Sequence, residues 1–340
     1  MREIETCWQI LPKVSRSFSF CIRVLPKPLD EQMMVSYLVY RMLDTIEDSK
    51  APIAAKKKLF SQFVGLLDAK GYDAGKVAHC KSALLTTLDY TYEKCLLENL
   101  EAVLSAYHAQ PFSVRRSILK WGRVMADGMC KFQRKRIETF QDQDEYSYHV
   151  AGVIGHLFTD LLFYNGIVGK ALRRKLRKYA ANFGLALQKV NILRDIAADA
   201  LSKRHYWPRR LMEHYGLSYG TICLRENRHA AMKVLREQMA NARMHLRDAM
   251  RYIKLLPKNA LRVRKFCLIP LFMAIESYVK CADSPEVFES EKKVKISRLQ
   301  VGEILAKTEM WCSSNDKLTD WFVQAMVRAN SAAFPAPAGR

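Results

Sequence analysis

Three stretches of the chain, residues 171–203, 229–255 and 300–328, repeat apolar residues at helical spacing and are rich in Ala, Leu, Lys, Arg, Met and Glu. Alternating apolar and polar runs bounded by turns, the mark of strands, are nearly absent. Glycine (14) and proline (11) are sparse, and breaks fall near Pro26–Pro28, Lys70–Gly75, Pro111, Pro208, Pro257 and Pro285. A fourth stretch, AGVIGHLFTDLLFYNGIVG at 151–169, is apolar on nearly every side of a helix. It approaches the length of a membrane span, but it carries His156, Asp160 and Asn165. A helix buried at the centre of a helical protein has the same pattern and is the expectation here. No fixed-period repeat or long linker interrupts the series. One all-α domain over residues 1–330 is expected, followed by a disordered tail at 331–340.

Charge narrows the partners. Lys+Arg number 55 and Asp+Glu 34, a net charge of +21, which favours nucleic acid, an anionic membrane surface or phosphorylated small molecules. Two basic segments, KFQRKR (131–136) and KALRRKLRKY (170–179), read first as solvated helix faces and next as contacts with anionic lipid. Aromatics do not interleave with their cations and no recognised module is present, so nucleic acid is not an expected partner. Nine scattered cysteines without C-x-x-C, and no H-E-x-x-H, argue against zinc and suit a reducing cytoplasm. The N-terminal MREIETCWQILPKVSRSF lacks the apolar core of a signal peptide, and no transmembrane anchor is expected. The expected location is the cytoplasm, with peripheral contact at a membrane.

The sharpest chemical signal is a pair of acidic clusters set in apolar helix. In LVYRMLDTIEDSKAP (38–52), Asp44, Glu47 and Asp48 share one helical face between Met42, Leu43 and Ile46. Like charges at that spacing cost a few tenths of a kcal/mol per pair, so a cation from elsewhere is expected to complete them. In LQKVNILRDIAADALSKRHYWPRR (187–210), Asp195 and Asp199 are again four apart, with Arg194 adjacent and Asn191 one turn earlier. Two helices offering carboxylates to one cavity make an oxygen-only site suited to Mg²⁺, whose other positions are taken by water or phosphate. Binding of a diphosphate through bridging Mg²⁺ is the chemistry this suggests.

Four motifs in order resemble the squalene/phytoene synthase family of head-to-head prenyltransferases over about residues 7–300. They are VSRSFSF (14–20), YLVYRMLDTIED (37–48), YSYHVAGVIG (146–155) and LQKVNILRD (187–195). The resemblance implies a single-domain isoprenoid-synthase helical bundle with a central active-site cavity. It implies that Asp44, Glu47, Asp48, Asp195 and Asp199 hold Mg²⁺, and that Arg16, Arg41 and Arg194 clamp diphosphate oxygens. Ser15, Ser17, Gln188 and Asn191 add neutral hydrogen bonds, and Tyr146 stands near the reacting carbons. Ala198 departs from the pattern, standing where the family usually has Glu.

Three further segments are more similar to the reducing, squalene-forming members than to the carotenoid enzymes: KRHYWPRRL (203–211), KFCLIPLFMAI (265–275) and KKVKISRL (292–299). They imply NADPH as a cofactor, met by Phe266, Pro270, Lys295 and Arg298, with Cys267 also in a matching place. Ser297 stands where an Arg is usual, and no G-x-G-x-x-G fingerprint is present. The implied reaction joins two farnesyl diphosphates through presqualene diphosphate and reduces the product to squalene. A non-reducing dehydrosqualene- or phytoene-type synthase, a presqualene diphosphate synthase, and a catalytically silent helical membrane-surface protein stay open at this point.

Overall fold

The computed structural model describes residues 2–87, 94–291 and 294–333, with the backbone alone for Arg16, Ser17, Thr87 and residues 331–333. Among these residues there are helices and no strands. In chain order they are α1 (Arg2–Val14), α2 (Arg16–Val24), α3 (Leu29–Asp48), α4 (Ile53–Asp68), α5 (Ala74–Thr87), α6 (Lys94–Glu98), α7 (Leu100–His108), α8 (Phe112–Phe132) and α9 (Phe140–Ser147). After a π turn at Tyr148–Gly152 come α10 (Val153–Tyr164), α11 (Lys170–Arg194), α12 (Ile196–Leu201), α13 (Arg209–His214), α14 (Arg228–Leu255), α15 (Leu261–Cys281), α16 (Arg298–Trp311) and α17 (Asn315–Ala333). The all-α expectation holds. The chain forms two compact units, each discontinuous in sequence: 1–135 with 153–177, and 136–152 with 178–340. Helix α17 runs to Ala333, past the expected start of the tail at 331; residues 334–340 of that tail lie outside the described residues.

In the first unit α3 is the central helix. Its Leu29, Met34, Val35, Leu38, Val39, Met42, Leu43 and Ile46 are fully buried against α1, α2, α7 and α8. Burying several such side chains is worth roughly 1.5–3 kcal/mol each, which is why the helix is apolar over most of its circumference. The Tyr40 hydroxyl donates to the Ile118 carbonyl on α8 at 3.0 Å. The backbones come close there: a Cβ at Gly122 would meet the Tyr40 ring at 3.3 Å.

The apolar stretch 151–169 becomes α10, packed on α8 and α3, and each polar residue in it has a partner. Asp160, 2% exposed, faces Arg173 and Arg177 and accepts from the Trp121 indole at 3.0 Å. Asn165 donates to Gln32 at 2.7 Å. His156 stacks on Trp121, ring centroids 4.8 Å apart. Among the described residues no helix is long and apolar enough to cross a membrane.

The second unit is organised on α14 and α15. The 229–255 stretch forms a single helix, whereas the other two predicted long helices are interrupted. One break is at Asp195. The other is at Cys312–Ser314, where the buried Arg264 collects the chain: Nε donates to the Cys312 carbonyl at 2.5 Å and Nη2 to Asn315 Oδ1 at 2.7 Å. Its Nη1 donates to the carbonyls of Ile253 and Leu256 at the end of α14. One side chain thus ties the end of α14, the end of α16 and the start of α17 to α15, satisfying carbonyls that a helix end leaves orphaned.

Candidate active site

With its apolar positions committed to the core, α3 leaves one stripe for polar groups. Asp44 and Glu47 on it are half-buried and Asp48 is exposed. The Arg41 guanidinium lies 3.6 Å from Asp44, the two side chains retaining 28% and 34% exposure. Ser15 caps α2, its Oγ accepting the Phe18 N–H at 3.3 Å, and shares a hydrogen bond with Tyr37. Burial pushes the Tyr37 hydroxyl up in pKa, while Ser15 and Arg41 draw it partly back. The first unit therefore brings Ser15, Tyr37, Arg41 and Asp44 together. Tyr37 was missed in the sequence reading, although residues 37, 41, 44 and 48 follow one helical stripe. The side chains expected at Arg16 and Ser17 lie outside the described residues.

In the second unit α11 ends at Arg194 and α12 starts at Ile196, with Asp195 at the junction. The helical register survives the break, because the Asp199 N–H donates to the Asp195 carbonyl at 2.9 Å. Arg194 forks onto the Asp195 carboxylate, Nε at 2.9 Å and Nη2 at 2.6 Å. That bond raises the guanidinium pKa further. Two of the carboxylate's four lone-pair positions stay open to other cations. Asn191 is exposed and Gln188 half-buried on the preceding turns. Ala198 is exposed, so the missing Glu vacates a position facing solvent. Burial pushes the Cys281 thiol, close to Arg194 and Asp195, up to about 12, which leaves it inert as a nucleophile.

Tyr146 lies in the last turn of α9, is buried, and stacks on Tyr206 with ring centroids 4.9 Å apart. The Val-Ala-Gly of its motif forms the π turn that follows, a distortion frequent at functional sites. Close approach of α11 shapes it: a Cβ at Gly184 would lie 2.1 Å from the Ala151 carbonyl oxygen. Only glycine fits there.

A buried polar network, also missed from the sequence, joins α9 to α11 and α14. Lys189, one residue after Gln188 and 2% exposed, donates to Gln143 Oε1 at 2.7 Å and Asn241 Oδ1 at 2.5 Å and pairs with Asp144. His245 Nε2 lies 3.4 Å from the same Asp144 oxygen. Burial alone would raise the Asp144 pKa, but His245 and Lys189 hold it below the usual carboxylate range. A lysine inside an apolar helix pattern carries no sign in the sequence that its ammonium turns inward.

The segment expected to meet a nicotinamide cofactor divides in two. Phe266 and Cys267 are buried in α15 and Pro270 is half-buried. Lys295 and Arg298 are exposed, and residues 292–293 of the basic stretch lie outside the described residues. Ser297 caps α16 in a capping box with Gln300: its Oγ accepts the Gln300 N–H at 3.1 Å and the Gln300 side chain accepts the Ser297 N–H at 3.0 Å. The residue standing in place of the usual Arg is thus used by the helix, and two exposed cations remain for a phosphate.

As a metal site the donor set consists of carboxylates only. Among the described residues no three His, Cys, Asp or Glu side chains gather into a group that could hold a metal ion by themselves. Hard oxygen donors at i,i+4, partly exposed, fit an ion of the magnesium type, which takes one or two carboxylates and completes its octahedron with water and phosphate.

The model of the squalene/phytoene synthase family matches residues 11–300. The squalene synthase of Schizosaccharomyces pombe is 30% identical over 302 residues, covering 86% of this chain and 63% of that protein. Squalene synthase 1 of Arabidopsis thaliana is 31% identical over 307 residues, covering 89% and 70%. The chain thus spans somewhat under two thirds of the yeast relative's length and a little more of the plant one's. Among solved structures, TcSQS in complex with a ligand superposes with a TM-score of 0.85 at 26% identity, over 100% of this chain and 94% of that one. A match across this much of the sequence, including both aspartate-rich motifs and the π-turn motif, has one reading: this chain belongs to the squalene/phytoene synthase family.

Proposed function

We propose that this chain is a squalene synthase: it condenses two farnesyl diphosphates head to head through presqualene diphosphate and reduces the product to squalene with NADPH. The observation that carries the reading is its similarity to squalene synthases over nearly all of its length, at 30–31% identity. Asp44, Glu47, Asp48, Asp195 and Asp199 would hold Mg²⁺, which would supply charge neutralisation for a departing diphosphate. The residues do the rest. Arg41 is assigned to orient anionic oxygens with its planar fork, as is Arg16, and Arg194, whose Nε and Nη2 hold Asp195, is assigned the same part through its Nη1. Ser15, Ser17, Gln188 and Asn191 add neutral hydrogen bonds. Tyr146, with its hydroxyl in a buried setting and its ring stacked, is assigned to proton removal and to facing developing positive charge. Leu43 and Ile46, beside the acids, are fully buried and anchor the acidic turn on the core. Phe266, Pro270, Lys295 and Arg298 are assigned to NADPH, the cations to its phosphate. The enzyme acts in the cytoplasm, in peripheral contact with an anionic membrane surface, because its product is insoluble in water.

The test is product identity. Purified protein is incubated with farnesyl diphosphate and Mg²⁺, with and without NADPH, and products are identified by mass spectrometry. Squalene formed only with NADPH is expected. Dehydrosqualene in both incubations, or no turnover of any prenyl diphosphate, overturns the assignment.

A further inference from the structure

The basic segment 131–136 has no part in the reaction above, yet the structure gives half of it, Lys131, Gln133 and Arg134, a place. A cleft of about 290 Å³ opens in the first unit where the first turn of α4 meets the last turns of α8. Its charged lining is Lys56, Lys57, Lys131 and Arg134 against the single carboxylate of Asp127. The two walls come from segments some 75 residues apart in the sequence, so folding creates this concentration of charge. Lys56 forms the floor. It is 8% exposed, and its Nζ donates to the Glu47 carbonyl at 2.6 Å and to Gln133 Oε1 at 3.2 Å. Lys57 and Arg134 stand at the rim, exposed, with no ion-pair partner among the described residues. Burial and Asp127 keep the Cys130 thiol protonated, so it adds no negative charge.

The cations lining this concavity outnumber its lining carboxylate, so an anion that enters relieves their mutual repulsion. Lysine ammoniums and a guanidinium fork are the donors that phosphate oxygens take. No aromatic side chain lines the cleft, so it offers no stacking surface for a nucleobase. We propose that this cleft, which adjoins the first acidic motif through the Lys56–Glu47 hydrogen bond, is an anion site that receives a phosphate or diphosphate group independently of the reaction assigned to that motif. The group comes either from a free ion or from a lipid headgroup.

The experiment uses the full chain in EDTA, which removes metal-bridged binding. Inorganic pyrophosphate is titrated calorimetrically into the native chain, the Lys57→Ala/Arg134→Ala variant, and Asp44→Asn. In a second arm, the proteins are cosedimented with phosphatidylcholine vesicles containing phosphatidic acid. Both altered rim residues are exposed, and equal melting temperatures verify the fold. Loss of one pyrophosphate site, or at least about ten-fold weaker binding, in the double variant but not in Asp44→Asn supports the site with a free ion. Loss of vesicle binding alone in the double variant supports it with a headgroup. A double variant that matches the native chain in both arms overturns the proposal, whatever the outcome of the turnover assay.

Discussion

Asp160→Asn isolates the electrostatics that let the apolar helix α10 carry a charge. The substitution keeps shape and removes one negative charge facing two guanidiniums, Arg173 at 2.7 Å and Arg177 at 2.6 Å. Those arginines retain 24% and 36% of their side-chain exposure, so water screens part of each pair, and about 1 kcal/mol per pair is the appropriate scale. The new amide also turns an N–H toward a cation, leaving a donor unmatched for about 1 kcal/mol more. The sum is about 3 kcal/mol, or a melting temperature lower by roughly 4 °C for a chain of 340 residues. Burial raises the Asp160 pKa, but hydrogen bonds from Arg177, Trp121 and Arg173 outweigh it and hold the carboxyl below its ordinary value. A depressed carboxylate contributes its full stability above the unfolded pKa of about 3.9 and loses it as pH falls through the folded value. Calorimetric scans of both proteins should therefore show a constant gap between pH 7 and about 4.5 that narrows in stronger acid. A shift under about 1 °C at pH 7, or a gap that widens on acidification, refutes the reasoning.

Three further outcomes follow from named residues. Asp44→Asn and Asp195→Asn should each lower turnover of farnesyl diphosphate by at least about a hundred-fold with the fold intact, because leaving-group neutralisation is weakened; near-native rates would remove these residues from the metal assignment. Lys295→Ala should spare presqualene diphosphate formation while squalene yield falls, measured as the product ratio at limiting NADPH; equal loss of both would contradict a cofactor role. Arg264→Leu strands the carbonyls of Cys312, Ile253 and Leu256 and should destabilise the chain by about 3–5 kcal/mol in urea titrations, whereas a loss below about 1 kcal/mol would show that water replaces the guanidinium.

Periodicity made the helical class legible, because apolar spacing reports which face is buried wherever one face is. The 229–255 stretch becomes α14 almost residue for residue. It did not reveal the break at Asp195 or at Cys312–Ser314, where apolar spacing continues across a short interruption fixed by distant partners such as Arg264. The acids of both motifs stood out because charge on an apolar helix is costly at short range. Lys189, Tyr37 and Ser297 did not, since their roles depend on contacts with Asp144, with Ser15 and with the first turn of α16. Asp160 and His156 were visible as interruptions of an apolar run, but Trp121, Arg173 and Arg177, which accommodate them, come from other helices.

The central claim is a condensation that ends in hydride transfer, and an isotope tests it most directly. Farnesyl diphosphate and Mg²⁺ are supplied with NADPH deuterated on the transferred face, and the hydrocarbon product is weighed by mass spectrometry. The account predicts squalene carrying a single deuterium, formed at the rate at which NADPH is consumed. A product without deuterium, or NADPH left unconsumed while prenyl diphosphate disappears, would contradict it.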